Sequence, residues 1–123
     1  EVARYYTAAD IFVFSSMTET QGLVVQEAMT YGLPAVCVGG GGASASIADG
    51  VNGFIVRNEA HGFATTVLDV LNNDELYARL ADGAAKSVRL HGTEEMCGKV
   101  VEVYRDVLAA RSMAGDRRFV ELR

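Results

Sequence analysis

The fold is decided by residues 11–38, which read IFVFSSMTETQGLVVQEAMTYGLPAVCV. Residues 11–14 are a short apolar run rich in strand-forming residues, which predicts a strand buried on both faces and parallel to its neighbours. Residues 15–21 are polar and predict a loop at the carboxyl end of that strand. From residue 22 to 31 apolar residues return at helical spacing, and Gly32-Leu33-Pro34 should end the helix because proline cannot continue it.

A second strand is predicted directly after this helix, over residues 34–38. The order strand, loop, helix, strand makes a βαβ unit, whose crossover should be right-handed. Residues 54–56 predict a third short buried strand, which the turn residues Asn52-Gly53 introduce. The chain is therefore predicted to be an α/β domain with a parallel sheet flanked by helices.

Three further helices are predicted after the third strand. The first covers residues 60–71, the second 76–88 with a weak point at Gly83, and Thr93 should cap the third. Helical spacing is lost past Leu108, and disorder is expected near Gly115. The residues predicted to face inward are Ala60, Phe63, Ala64, Val67, Leu68 and Leu71, then Leu76, Leu80, Ala84 and Val88, then Met96, Val100, Val103 and Val107.

Two carboxylates, Glu19 and Glu27, flank the predicted strand-to-helix corner, where an open α/β sheet holds its ligand. The first N–H groups of the helix, roughly at Gly22 to Val24, have no partner within it and favour an anion. Gly22 also has no side chain to keep a phosphate or a sugar at a distance. Glu27 lies about one and a half turns in, at a rise of ~1.5 Å per residue, and suits a vicinal diol. With Glu19 accepting hydroxyls at the other end, the pattern suggests a nucleotide sugar.

Five segments of the chain occur in a characteristic order. They are residues 8–16 (AADIFVFSS), Glu19 to Glu27, Ala28-Met29, Gly32-Leu33-Pro34 and residues 50–56 (GVNGFIV). Together they resemble the C-terminal, donor-binding domain of retaining GT-B glycosyltransferases of family 4, whose motif is Glu-x7-Glu. The resemblance implies a Rossmann-like parallel sheet flanked by helices, the C-terminal half of a GT-B glycosyltransferase.

The resemblance assigns roles to the residues of the motif. It implies that Glu27 binds the ribose diol and that Glu19 contacts the transferred sugar, which makes Glu19 the candidate catalytic residue. Backbone amides of Gly22, Leu23 and Val24 are implied to hold sugar hydroxyls and the diphosphate. The alternative is that Glu27 is a solvated helix residue and Glu19 a helix-capping or loop charge, which is the more common role of a glutamate considered alone.

The activity implied is transfer of a sugar from a nucleotide-sugar donor to an acceptor with retention, without a metal or another cofactor. Residues 1–110 are predicted to be the donor-binding domain. Residues 111–123 are predicted to be a tail that crosses to an N-terminal domain, which is the expected partner within the same protein. Residues 18–24 look most like bacterial enzymes that glycosylate diacylglycerol, and the acceptor is left open between a sugar and a lipid.

The chain departs from the family pattern at two places. Gln21, which is included among the candidate donor-binding residues, stands where the family often has an aromatic residue. The surface that packs against the sugar should therefore be more polar than in the family. After the glycine run, Ala45-Ser46 stands where the family commonly has a Pro-Glu pair. In the family, the Arg and Lys residues that neutralise the donor diphosphate lie upstream of the segment that this chain resembles. Two alternatives stay open, namely a nucleotide-sugar 2-epimerase of the same architecture and a non-catalytic α/β binding module.

Composition narrows the functional classes. The net charge of −5 over 123 residues disfavours nucleic acid as a partner. No signal peptide or segment of transmembrane length is apparent, so a cytoplasmic protein is expected, with peripheral attachment to the inner membrane face left open. Cys37 and Cys97 are expected to be small core residues. His61 and His91 lack neighbours for a metal site and are expected at the surface.

Gly39 to Gly42 follow the second predicted strand, at the same edge of the sheet as the motif. Two interpretations are open. The glycines either let the backbone approach the donor closely or form a flexible connector.

Overall fold

The computed structural model describes residues 1–89 and 93–113. The chain divides into two compact units, Glu1–Leu90 and His91–Arg123. The first unit contains, in chain order, α1 (Val2–Ala8), β1 (Phe12–Phe14), α2 (Leu23–Thr30), β2 (Ala35–Val38), a 3-10 turn (Gly42–Ser46), β3 (Gly53–Val56), α3 (Ala60–Leu71) and α4 (Asp74–Arg89). The second contains α5 (Thr93–Met113).

The three strands form one parallel sheet in the order β1-β2-β3. In the register of the sheet, Phe12 is opposite Ala35 and Val36 is opposite Phe54. The predicted α/β arrangement is therefore confirmed, with each predicted strand within two residues of its observed bounds. The end of α2 is also confirmed, because Gly32 adopts a φ of +75° and its N–H donates to the carbonyl of Met29 at 3.0 Å.

The core lies between the sheet and the pair α2 and α4, which pack together on one of its faces. All four residues of β2 are buried, as expected of a central strand with both neighbours in place. The buried residues of this cluster are Val25, Met29, Ala35, Cys37, Ala43, Ile47 and Ala84. Burial raises the pKa of the Cys37 thiol to about 11, so this cysteine is an inert core residue, as predicted.

The predictions that β1 is buried on both faces and that β3 is a buried strand are wrong. Val13 in β1 is 47% exposed and Ile55 in β3 is 40% exposed. Both strands are at an edge of the three-stranded sheet, where one neighbouring strand is missing among the described residues. An apolar run predicts a strand, but its length and hydrophobicity do not determine its position in the sheet.

The predicted inward face of α3 is correct for Phe63 and Val67 and wrong for its other four residues, because the observed face is rotated by about one residue. Ala60, Ala64, Leu68 and Leu71 are exposed, whereas Val70 is buried and Phe63, Thr66 and Val67 are half-buried. The helix packs against β2, β3 and α4 through this second face. Adjacent apolar pairs at 67–68 and 70–71 leave two overlapping stripes about 100° apart, and periodicity does not distinguish them.

The inward face of α4 is confirmed. Leu80 and Ala84 are completely buried, and Leu76 and Val88 are half-buried. Gly83, predicted to be a weak point of the helix, lies against the backbone of the Val51-Asn52 turn. A Cβ at this position would collide with the Val51 carbonyl oxygen and come within 2.9 Å of its carbon. The glycine therefore permits a close approach of helix and turn.

Gly83→Ala should lower the free energy of unfolding by about 1–2 kcal/mol, because the overpacking cost exceeds the gain of about 1 kcal/mol in helix propensity. The matched control is Gly98→Ala in α5, where no atom of the described residues outside the helix's own backbone lies within 4 Å of the added Cβ and the propensity gain should appear alone. Urea denaturation followed by circular dichroism measures both. A Gly83→Ala variant as stable as the wild type would show that the turn yields without cost.

In the second unit, α5 extends to Met113, past the point where helical spacing was expected to end. Met96, Val100, Val103 and Val107 were predicted to face inward but are exposed, and Cys97 is exposed rather than a core residue. Residues 93–113 form a single helix, and one helix cannot bury a face by itself. The expectations for His91 and Gly115 lie outside the described residues, and the domain boundary at 110 stays a prediction.

No helix in residues 1–89 or 93–113 combines the length and the apolar character needed to span a membrane.

Candidate functional site

Three loops meet at the carboxyl edge of the parallel sheet. They follow β1 at residues 15–22, β2 at residues 39–41 and β3 at residues 57–59. Two backbone hydrogen bonds connect the segments at this edge. Gly42, directly after the second loop, donates to the Glu19 carbonyl at 2.7 Å, and Gly39 donates to the carbonyl of Val56, the last residue of β3, at 2.9 Å. The loops thus form one continuous surface, at the edge where the sequence places the ligand.

Two glycines allow the first two loops to approach each other. Gly22 has a φ of +63°, and a Cβ there would collide with the Cα of Ala43 and lie 2.9 Å from its nitrogen. A Cβ at Gly42 would collide in the same way with the carbonyl of Thr20. Backbone conformation and loop packing are therefore sufficient to explain Gly22. The predicted space for a ligand at Gly22 stays a prediction.

The glycine run is likewise no loose connector, since Gly39 and Gly42 both form backbone bonds and Gly41 lies against Met17. A Cβ at Gly41 would come within 3.1 Å of the Met17 carbonyl oxygen. Contact of the run with a donor stays a prediction.

Glu19 lies at this edge and turns its side chain into its own loop. Its Oε1 accepts hydrogen bonds from the backbone N–H of Thr20 at 3.0 Å and of Gln21 at 3.3 Å. The Gln21 amide is the main cause of a lowered Glu19 pKa, followed by the Gly22 amide. The loop-charge interpretation of Glu19 is thus correct for the structure as it stands, and its contact with a sugar is a proposal.

The stabilising effect of Glu19 should depend on pH. Because folding lowers the pKa of this carboxyl, its contribution is fully present above the ordinary value of 4.5 and is lost as the pH falls through the folded-state pKa. Wild type should therefore be more stable than Glu19→Gln at pH 7, and the two should converge in acid. Denaturant unfolding of both proteins at several pH values measures this, and parallel curves would contradict it.

The first residues of α2 present a helix start without a side-chain cap. Gly22 is the N-cap, and its carbonyl accepts from the N–H of Val25 at 2.9 Å. Leu23 and Val24 are the first two residues of the helix, so their N–H groups have no acceptor within it. Glu19 thus accepts from the Thr20 and Gln21 amides, which precede the predicted anion site, and the Gly22 amide of that site also lowers its pKa. Binding of an anion by the Leu23 and Val24 amides stays a prediction.

Glu27 is an exposed residue in the second turn of α2. Its Oε2 accepts a hydrogen bond of 3.3 Å from the Tyr6 hydroxyl of α1. No hydrogen bond links Glu27 to Glu19 within the part of the chain that the structure describes. The two carboxylates flank the start of α2 on its helix side and its loop side, as the sequence indicated.

Sequence reasoning missed two residues near the site. Tyr6 was treated as part of the lead-in to β1, and a hydroxyl able to reach Glu27 gives no periodic signal. Ser46, noted as a departure from the family pattern, accepts a hydrogen bond of 3.0 Å from Nε2 of Gln26 and so ties the 3-10 turn to α2.

Among the described residues, no group of three or more His, Cys, Asp or Glu side chains is arranged to hold a metal ion. His61 is exposed next to the start of α3, as expected.

Residues 1–87 match a family model described as glycosyl transferases group 1. The chain belongs to this family. Its site geometry fits the assignment, since the motif that suggested a glycosyltransferase is the corner between β1 and α2.

The chain is also similar to individual proteins of known sequence or structure. D-inositol 3-phosphate glycosyltransferase of Corynebacterium glutamicum is 28% identical over 117 residues, which are 94% of this chain and 28% of that protein. Sucrose-phosphate synthase of Thermosynechococcus elongatus superposes with a TM-score of 0.75 at 26% identity, over 89% of this chain and 28% of the other. Anabaena Alr3699/HepE in complex with UDP-glucose gives a TM-score of 0.76 at 23% identity, over 85% and 30%.

The group 1 chain therefore has the predicted Rossmann-like α/β fold, and its structural neighbours are GT-B glycosyltransferases. It spans less than a third of each of these three proteins.

Proposed function

We propose that this chain is the donor-binding part of a family 4 glycosyltransferase, which transfers a sugar from a nucleotide-sugar donor to an acceptor with retention of configuration. The observation that carries the proposal is the uncapped start of α2 between Glu19 and Glu27, in a chain of the group 1 family. A neighbour of the same fold that holds UDP-glucose supports a nucleotide sugar as the donor.

The charges of the corner suit such a donor. The N–H groups of Leu23 and Val24, at the positive end of α2, donate hydrogen bonds to a phosphate oxygen. Glu27, which would repel a phosphate, accepts hydroxyl hydrogen bonds from the ribose diol. Glu19 accepts hydrogen bonds from hydroxyl groups of the sugar, and the exposed side chain of Gln21 lies nearby in the same loop.

In the proposed reaction, the bond between the anomeric carbon and the diphosphate oxygen breaks and its electron pair stays on the diphosphate. The helix amides of Leu23 and Val24 stabilise the charge that develops there, together with cations from outside this chain. The proton of the acceptor hydroxyl passes to the departing phosphate, and the acceptor oxygen bonds to the anomeric carbon from the same face. Glu19 orients the sugar, and neither a protein nucleophile nor a metal takes part.

Two acceptor classes follow from different observations. Residues 18–24 favour diacylglycerol, whereas the name of the Corynebacterium relative includes an inositol phosphate. An N-terminal domain of the same protein is proposed to bind the acceptor, since this chain covers 28% of that relative.

The experiment is a transfer assay on the complete protein that carries this chain. UDP-, GDP- and ADP-sugars are supplied with either D-inositol 3-phosphate or diacylglycerol, and NMR of the product gives the anomeric configuration. Transfer with the configuration of the donor supports the proposal, and inversion contradicts retention. Conversion of the donor to its 2-epimer without any acceptor would identify an epimerase, and no reaction or binding with any nucleotide sugar would indicate a non-catalytic module.

A further inference from the structure

Tyr6 is the side chain that contacts the Glu27 carboxylate from another element. It lies on α1, ahead of the sheet, and its hydroxyl reaches Oε2 of Glu27 at 3.3 Å across a separation of 21 residues. The ring is held on two sides. It stacks on Tyr31 with a centroid distance of 5.4 Å and an interplanar angle of 25°, and it meets Phe12 at 6.1 Å and 55°. The packing of the ring therefore holds the Tyr6 hydroxyl in place, whereas a glutamate side chain such as that of Glu27 has several rotatable bonds.

The direction of this hydrogen bond is determined by chemistry. An ionised carboxylate only accepts hydrogen bonds, so the phenol must donate. A tyrosine hydroxyl is protonated at neutral pH, and partial burial and then the negative charge of Glu27 raise the Tyr6 pKa further above its ordinary value. Within the described residues, Tyr6 is the only side chain that hydrogen-bonds to the Glu27 carboxylate.

We propose that Tyr6 is a positioning residue for the donor, because its hydroxyl holds the Glu27 carboxylate in the orientation that accepts the ribose diol. The inference rests on the function proposed above. A glutamate side chain without a partner loses conformational entropy when it binds a ligand. A hydrogen bond formed before binding, such as the one from Tyr6, reduces that entropy loss. A carboxylate has about four acceptor positions, so one bond to Tyr6 leaves enough for two diol hydroxyls.

The test compares two adjacent tyrosines on α1. Tyr6→Phe removes only the hydroxyl and keeps the ring packing, whereas Tyr5→Phe makes the same chemical change at a side chain that is 73% exposed. Binding of UDP and of 2′,3′-dideoxy-UDP to the complete protein is measured by calorimetry, with GDP or ADP pairs if the wild type prefers them. Loss of one hydrogen bond should weaken UDP binding about threefold to tenfold in Tyr6→Phe. Binding of dideoxy-UDP, which has no diol, should not change, and Tyr5→Phe should match the wild type with both ligands.

Each other outcome has a distinct meaning. If Tyr6→Phe binds UDP as the wild type does, Tyr6 does not position Glu27. An equal loss with both ligands shows a structural role, which also overturns the inference. A wild-type protein that binds none of UDP, GDP and ADP overturns the proposed function itself, and this inference falls with it. Melting temperatures of the two variants show whether either change disturbs the fold.

Discussion

Asn52→Ala should lower the free energy of unfolding by about 3 kcal/mol, although the residue lies in a turn. Asn52 is 1% exposed, and its side chain makes three hydrogen bonds. Oδ1 accepts from the N–H of Ala48 at 2.8 Å, and Nδ2 donates to the carbonyl of Ser46 at 3.2 Å and to Oγ of Ser87 at 2.9 Å. Alanine would remove all three bonds and leave the part-buried Ala48 N–H and Ser46 carbonyl without this partner, whereas Ser87 still donates to the Gly83 carbonyl. Each such unsatisfied group costs about 1–3 kcal/mol before relaxation or water entry.

The matched control is Asn72→Ala, at the exposed C-cap position of α3, which should change the unfolding free energy by less than about 0.5 kcal/mol. Urea denaturation compares both variants with the wild type. Asn52→Asp is a second informative change, since a carboxylate cannot donate to Ser46 and Ser87 as the amide does. An Asn52→Ala variant with wild-type stability would mean that water replaces all three bonds.

The Asn52-Gly53 pair shows what local sequence predicts and what it does not. The pair predicted a turn before a strand, and the turn is present. The burial of Asn52 depends on Ser87 in α4, 35 residues away, and on the close approach that Gly83 permits. Such a partner has no signature near Asn52, so the sequence predicted the turn without its role in joining α4 to the sheet.

In the candidate site, too, local features were predicted and contacts with distant residues were not. The strand-to-helix corner and the flanking glutamates follow from apolar runs, one glycine and one spacing, which are local features. The turn of Glu19 into its own loop follows from the backbone path through Thr20 and Gln21, which a sequence does not show. The structure adds a reason for Gly22 that the sequence did not show, namely the close approach of the Ala43 backbone from the next loop.

The outer strands and α3 were correctly predicted as two strands and a helix, but the residues they bury were not. The reason is related to the one above. Strand or helix formation is favoured by a residue's immediate neighbours, whereas burial depends on which element covers it. Val13 and Leu68 are as apolar as the core residues, yet they are 47% and 56% exposed. Patterns of hydrophobicity therefore located the elements of this fold better than the faces they bury.

Glu27→Gln should weaken binding of a nucleoside diphosphate about 100-fold in the complete protein that carries this chain. A hydrogen bond to a charged group is worth about 1.5–3 kcal/mol, and each 1.4 kcal/mol is tenfold in affinity. Glutamine has the same size but accepts through only one oxygen, and its amide cannot accept from the second hydroxyl of a diol. Because Glu27 is exposed, the melting temperature should stay near that of the wild type.

Glu75→Gln is the control for the loss of charge, since Glu75 is an exposed carboxylate in the first turn of α4 and far along the chain from the corner. It should bind the nucleotide as the wild type does. The loss in Glu27→Gln should also disappear with 2′,3′-dideoxy nucleotides, which separates recognition of the diol from a general effect of charge on the diphosphate. If Glu27→Gln instead lowers the melting temperature strongly and weakens both ligands equally, the Tyr6 contact holds α1 against α2, and the role of Glu27 is structural.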